Sequence, residues 1–336
     1  MGEMMRSILV AVIAAAVYIG APANGFVFDD REIILSNPLV EEPGHIGEIL
    51  TSHYWHPIRK RGYLYRPLTI LSLRADHVIG GGKPFVFHAT NVLLHAAVSV
   101  AVLFALAQAY GAGLVPLLAA LIFAVHPIHS EAVAGIAGRA DLLAALLVIL
   151  AWWLHMKGRH ITSAVVFLAG LLSKESAIVL PGILAASDWC LSRRMGRYRP
   201  VLVVTILYFA LRWAILGSPA GGDPSLIHPM DNPLAAAPLI VRLLTAIKVI
   251  AMQAWILVFP LNLSADYSYD QIQLVTRPSD PLFIAGVMLL LVAGGCVWLY
   301  RGRRGGPALP ILLYAIGLAP VANILMPIGT VLAERT

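Results

Sequence analysis

Residues 85–110 read FVFHATNVLLHAAVSVAVLFALAQAY, an apolar run long enough to cross a hydrocarbon core of roughly 30 Å as a helix. Its reading decides the rest, because the same signature recurs on both sides of it. A glycine-flanked turn at 111–113 leads to a second run, Leu114–Val125. His126-Pro127-Ile128-His129-Ser130-Glu131 then interrupts the apolar pattern, and Ala132–Leu154 is expected as a further span. Shorter runs follow at Ile161–Leu172 and Ala177–Leu191, with Ser173-Lys174-Glu175-Ser176 between them. Val201–Leu216, Leu282–Tyr300 and Ala308–Ala319 complete the series, and Ser7–Ala21 opens it.

Composition agrees with this reading. Hydrophobic residues make up 59% of the 336 residues and charged residues 12%, against about 25% charged in a soluble domain. Mean hydropathy is +0.80. The chain is therefore expected to be an all-α polytopic membrane protein, which excludes a single small buried core. The net charge of +6 does not point to nucleic acid, because the basic residues sit in short loops between apolar runs, as the positive-inside rule places them. Cys190 and Cys296 each lie at or within an apolar run, so they make neither a disulfide framework nor a metal spacing.

Charge also orients the chain. With Arg6 and the basic loops 157–160, 193–199 and 301–304 in the cytoplasm, the segment 24–84, the 126–131 turn, the 173–176 turn and loop 217–233 all fall on the opposite face. Five regions follow: a first transmembrane helix or signal-anchor (1–23), a large first extracytoplasmic loop with interfacial helices (24–84), a helix bundle (85–216), a loop with an interfacial or re-entrant segment (217–280) and C-terminal helices (281–336). A cleaved signal peptide would resemble the first region. Residues 235–260 are apolar enough to cross, yet one crossing would reverse Leu282–Tyr300. They are expected to lie along the interface, re-enter or cross twice, and Arg242 and Lys248 favour the interface.

The unusual polar residues gather on the extracytoplasmic face. Asp29 and Asp30 are adjacent acids just beyond the first span, where one can serve as a general base; a solvated loop start would look the same. His88, Asn91 and His95 recur at i, i+3 and i+7 on one face of the first-quoted helix, suited to a binding site or to interhelical hydrogen bonds. His126, His129 and Glu131 mark the turn, and Pro127 argues against a regular metal-binding helix through both histidines. Arg139 and Asp141 follow in the next span, where each is expected to find its partner on another helix. Lys174 and Glu175 sit at another outer turn. Arg66, Arg139 and Lys174 are expected to face an anion, stabilising charge on a departing phosphate.

These motifs resemble a known family. Phe26-Val27-Phe28-Asp29-Asp30 with Asn37-Pro38 is similar to the first-loop acidic motif of the transmembrane and TPR-repeat O-mannosyltransferases. So are Tyr65-Arg66-Pro67-Leu68, the stretch from Phe87-His88 through Asn91 to His95, and His126 through Val133. Gly138-Arg139-Ala140-Asp141, Ser173 through Ala177, the Asp266-Tyr267-Ser268 core and the endings Pro320–Ile324 and Pro327–Arg335 follow in the family's order. The resemblance implies a GT-C-type helix bundle and a transferase. It would move a hexose, expected to be mannose, from a polyprenyl- or dolichyl-phosphate donor to a protein Ser/Thr hydroxyl. It implies Asp29 as the base and Asp30 as its neighbour. The second acid is Asp where the wider class often has Glu.

No 34-residue repeat is legible in these residues, so the C-terminal helices are expected to stop short of a soluble repeat domain. Acids near a phosphate act with or without a divalent ion, which leaves that cofactor open with no ligand assigned. Membrane lipids, a lipid-phosphate sugar and a protein acceptor are the expected partners. The expected location is a bacterial inner membrane with the site facing the periplasm, or an endoplasmic reticulum with the site facing the lumen. Two other classes compete. A non-catalytic scaffold or pseudoenzyme would bind lipid phosphate without turnover. A secondary transporter would need inverted repeats, and none is legible.

Overall fold

A computed structural model describes residues 2–60, 62–192, 197–218, 227–264, 266–268, 271–303, 305–324 and 327–332. Among these every regular element is helical. Arg193 and Arg194 of one basic loop, Arg304 of another and the terminal Glu334-Arg335 lie outside the described residues. Six helices are long and apolar enough to cross a membrane, or seven if one bent pair is a single span. The all-α polytopic reading therefore holds.

The chain forms two compact units, residues 1–181 with 196–222, and residues 182–195 with 223–336. In the first unit, α1 (Glu3–Val17) is followed by a loop region that is more compact than an interfacial strap. A π-helical stretch at Arg31–Leu35, then α2 (Pro38–Glu41), α3 (Ile46–Thr51) and the amphipathic α4 (Pro67–Gly80) enclose their own core. Ile33, Ile34, Leu39, Val40, Ile49 and Leu73 are among its buried members, and Phe87 of the next helix and Ile136 close it. Asn37 caps α2 by accepting the Leu39 N–H at 3.0 Å, and Pro67 starts α4 at the position where a missing N–H costs nothing. Gly81, at φ 58°, closes α4 in the left-handed conformation.

α5 (Pro84–Tyr110) and α6 (Leu114–Val125) begin and end where the apolar runs do. The next expected span does not. Ala132–Leu154 is broken into a short α7 (Ser130–Ala134), a 3-10 turn at Ile136–Gly138 and α8 (Arg139–Met156). Glycine permits the break, for a Cβ on Gly138 would lie 2.2 Å from the Ala132 carbonyl oxygen. Hydropathy is blind to that approach. α6 and the Pro127–Ala134 segment are bent by 48°, as Pro127 requires.

α9 (His160–Ser173) is followed by a 3-10 turn at Glu175–Val179, so α10 (Leu180–Cys190) starts later than the expected run at Ala177. α11 is Arg199–Leu216. Within the first unit α1 and α6 flank α5, α5 packs on α8, α8 on α9 and α9 on α11, while α4 lies across α5 and α9.

The second unit contains α12 (Leu239–Val258), α13 (Pro281–Tyr300) and α14 (Ala308–Leu318). Within residues 235–260 the stretch Leu239–Val258 is one continuous helix, and by length and composition it is able to cross. Lys248, at the middle of α12, reaches the Asp280 carboxylate at 3.1 Å and the Gln273 carbonyl at 3.2 Å. Asp280 in turn caps α13, accepting from Leu282 and Phe283 N–H groups. Gly286 lies against the Ile247 carbonyl. The start of α13 therefore meets the middle of α12, where Lys248 is 8% exposed and ion-paired.

Candidate functional site at the loop end of the first unit

The two adjacent acids have opposite surroundings. The Asp30 carboxylate is 2% exposed. It accepts the Ala137 N–H at 2.8 Å and the Val27 N–H at 3.3 Å. Its own N–H donates to the Val27 carbonyl at 2.9 Å, and the Arg31 N–H to the Phe28 carbonyl at 3.2 Å. Burial pushes the Asp30 carboxyl above its ordinary value; the Ala137 and Val27 N–H groups and nearby His88 offset part of that rise. Asp29 is exposed, and no hydrogen bond or ion pair holds its carboxylate among the described residues. Asp30 is therefore the acid that fixes the turn, and Asp29 the acid the turn presents.

One helical turn into α8 lies a cluster of four charges. Arg66, at the start of α4, grips Glu175 with two bonds, Nε to Oε2 at 2.9 Å and Nη2 to Oε1 at 2.5 Å. Lys174 pairs with Asp141 of α8. Thr69 ties α4 to the end of α9 by donating to the Ser173 carbonyl at 2.8 Å. Burial alone would raise the Glu175 carboxyl; the charge and hydrogen bonds of Arg66 override it and bring it down to about 2. Arg66, Lys174, Glu175 and Asp141 are thus brought together, with Arg66 also 5.2 Å from the Tyr54 ring centroid.

Arg139 has a different place from the one expected. It is fully buried, and its donors are engaged inside the bundle: Nε to Asn91 Oδ1 at 2.5 Å, Nη2 to Asp76 Oδ2 at 2.6 Å and Nη2 to the Phe87 carbonyl at 2.8 Å. Thr90 donates to the other Asp76 oxygen at 2.9 Å, and Asn91 to the Gly135 carbonyl at 2.9 Å. A guanidinium with five N–H donors here knits α4, α5 and α8 and has none turned to an anion outside. Arg139 finds its partners on other helices, Asp76 of α4 and Asn91 of α5; Asp141 pairs instead with Lys174, in the extended link after α9 rather than on a helix.

His88, Asn91 and His95 do share the buried face of α5 but serve three neighbours. His88 lies within electrostatic reach of Asp30, with the Gly25 and Ala134 carbonyls beside its ring. Asn91 belongs to the Arg139 network. His95 meets the Ala124 carbonyl at 3.0 Å and sits edge-on to Tyr18 at 5.1 Å. His129 packs 4.3 Å from Phe123 and 5.4 Å from His95. His126 accepts the Ile128 N–H at 3.2 Å, which closes the 3-10 turn before α7. Glu131 is half-buried in α7, and its carbonyl accepts the Gly135 N–H. No group of three or more His, Cys, Asp or Glu among the described residues is disposed to hold a metal ion.

Asp76 and Arg212 were not singled out by the sequence. Asp76 lay inside a segment read as loop, with its partner 63 positions away. Arg212 is 4% exposed in α11 and donates to the Tyr63 carbonyl at 2.6 Å, tying that helix to the residues before Arg66. An arginine inside an apolar run is itself a signal, and the run Val201–Leu216 contained it.

Fold and site together define an all-α polytopic membrane protein whose first loop docks on the bundle and presents the unengaged Asp29 carboxylate beside the bonded Asp30. A family model described as "Protein O-mannosyl-transferase TMTC, DUF1736" matches residues 221–294. Over 98% of its length the chain is 29% identical to Protein O-mannosyl-transferase TMTC4 of Homo sapiens, covering 52% of that protein. It is 27% identical to Protein O-mannosyl-transferase TMTC3 of Mus musculus over 97% of the chain and 40% of that protein. It is also 33% identical to Protein O-mannosyl-transferase Tmtc2 of Drosophila melanogaster over 87% of the chain and 34% of the relative. The chain is thus similar, along most of its own length, to proteins of the TMTC family. It spans about half the length, or less, of these curated relatives. No solved structure matches it.

Proposed function

We propose that this chain carries the transfer centre of a protein O-mannosyltransferase. A hexose, mannose in this reading, moves from a polyprenyl- or dolichyl-phosphate to a Ser or Thr hydroxyl on the extracytoplasmic face of the membrane. The names of the relatives support the reaction class. The observation that carries the assignment to residues is the contrast between Asp29 and Asp30: the first is exposed and unengaged, the second buried and bonded to two amides.

In this reading Asp29 takes the proton from the acceptor hydroxyl. The hydroxyl oxygen bonds to the anomeric carbon as the bond from that carbon to the phosphate oxygen breaks, and the phosphate leaves with the electron pair. Arg66 and Lys174 lie at the same end of the unit and supply positive charge for the departing phosphate. Each is paired with a carboxylate in this state, so the phosphate competes with Glu175 and Asp141 for them. Arg139 is left out of this role by its burial.

The test is transfer of radiolabelled mannose to protein in membranes holding this chain, with polyprenyl-phosphate-mannose or GDP-mannose as donor and lipid-phosphate synthesis blocked. Label carried only from the lipid-phosphate donor supports the reading. Label from GDP-mannose alone contradicts it.

A further inference from the structure

Phe28 combines three properties that rarely meet in one residue. It is 86% exposed, its backbone is left-handed at φ 45°, and it immediately precedes the free acid. A bulky side chain at positive φ is a true outlier, because Cβ crowds the following carbonyl. Glycine would hold this position without that crowding. The strain persists because its surroundings fix it. Asp30 grips the Val27 N–H on one side of Phe28 and the Ala137 N–H on the other element. Phe26 is anchored edge-on to Phe87 at 5.7 Å. A ring held outward by a locked, strained turn is in a fixed place, as a solvated loop tip is not. Strain of this kind is kept where a site uses it.

We propose that Phe28 is a specificity-determining residue that contacts the protein acceptor, giving an apolar surface for the side chains flanking the Ser or Thr that is modified. The inference rests on the transferase reading above. In that displacement the attacking hydroxyl enters opposite the departing phosphate, so the base and its immediate neighbour stand on the acceptor side. Phe28 is that neighbour. Phe26 packs inward and Val27 is 47% exposed, whereas Phe28, 86% exposed and directly before Asp29, offers the largest apolar surface of the turn. Burying an exposed ring against an extended acceptor segment contributes affinity without altering the reacting atoms, so it acts on acceptor binding.

The test compares wild type with Phe28→Gly, Phe28→Tyr and Phe28→Trp in the membrane-embedded protein, with polyprenyl-phosphate-mannose and a Ser/Thr peptide. Phe28→Gly removes the ring and relieves the backbone, so its thermal stability holds or rises. Acceptor KM should nevertheless increase about ten-fold or more, the loss expected for one apolar contact. Donor KM and kcat at saturating acceptor stay as in wild type, and Phe28→Tyr restores acceptor KM. An unchanged acceptor KM in Phe28→Gly, or equal damage to donor and acceptor kinetics, overturns the proposal. Unchanged kinetics, with the emission that Phe28→Trp adds to that of the seven native tryptophans quenched by brominated lipid, would assign the ring to the bilayer instead. Wild type that transfers nothing would overturn the transferase reading and this inference together. Active wild type with indifferent Phe28 variants overturns this inference alone.

Discussion

The carboxylate of Asp30 accepts a hydrogen bond from the backbone amide of Ala137, 107 positions further along the chain, at 2.8 Å. That bond seats the first loop on the 3-10 turn preceding α8. Replacing Asp30 with Ala would leave the Ala137 N–H buried and unmet, at a cost of about 1–3 kcal/mol. Asp30→Asn keeps an acceptor oxygen and discards a buried charge, so it should cost less. The sign of its pH effect is fixed by the raised carboxyl. In wild type the folded state holds its proton to higher pH than the unfolded chain, so stability falls as pH rises above the ordinary value of 3.8. Thermal unfolding in detergent across that range should show the fall in wild type and lose this component in Asp30→Asn.

Arg139 and Asp76 form the buried pair of the bundle, 2.6 Å apart. Removing one partner strands the other, which typically costs about 3–5 kcal/mol. Arg139→Met is therefore expected to lower the melting temperature sharply. The double variant Arg139→Met with Asp76→Leu should recover much of the loss, because no charge is left alone. A double-mutant cycle measured by thermal unfolding checks this; a double variant no better than the single would contradict it.

Glu175 gives an acid-sensitive clasp between α4 and the turn after α9. Its carboxyl is held at about 2, below an ordinary 4.5, chiefly by Arg66 against the opposing effect of burial. A lowered carboxyl contributes stability that is complete above about 4.5 and is lost as pH falls towards about 2. Hydrogen-exchange protection at the start of α4, taken relative to the free amide at each pH, should fall across that window in wild type. In Glu175→Gln, where the ionisation is gone, protection should be reduced already at neutral pH and change little with acid.

The meeting of α13 with the middle of α12 makes a topological prediction. If α12 lies along the interface on the face that carries loop 217–233, single cysteines at Pro238 and Leu261, in a chain freed of Cys190 and Cys296, should react with an impermeant thiol reagent from the same side. Reaction from opposite sides would make α12 a crossing helix. It would also place Arg301 and Arg303 opposite the other basic loops.

Where the sequence was informative, the signal was local. α5, α6, α11 and α13 start and stop within about two residues of their apolar runs, because transfer of a side chain to lipid depends on that side chain alone. The break at Gly135–Gly138 escaped because there the chain turns tightly on itself, Gly138 against the Ala132 backbone, within a run that remains apolar. Arg139 could be recognised as costly, but Asp76 as its partner could not, since only folding brings the two together. The same holds for Asp29 and Asp30. They are identical in chemistry and adjacent in sequence, and only the docking on Ala137 distinguishes the acid that holds the turn from the acid left free. Arg66 with Glu175 and Lys174 with Asp141 were all named from sequence; the pairing among them was not.

The central claim is that Asp29 is the base, and the most direct measurement is transfer of labelled mannose from polyprenyl-phosphate-mannose by Asp29→Asn, with loop docking followed in the same preparation by hydrogen exchange at Ala137. Asp29→Asn is expected to lose at least about a hundred-fold in transfer, as for removal of a general base, with protection at Ala137 unchanged. Turnover within a few-fold of wild type, with the loop still docked, would contradict it.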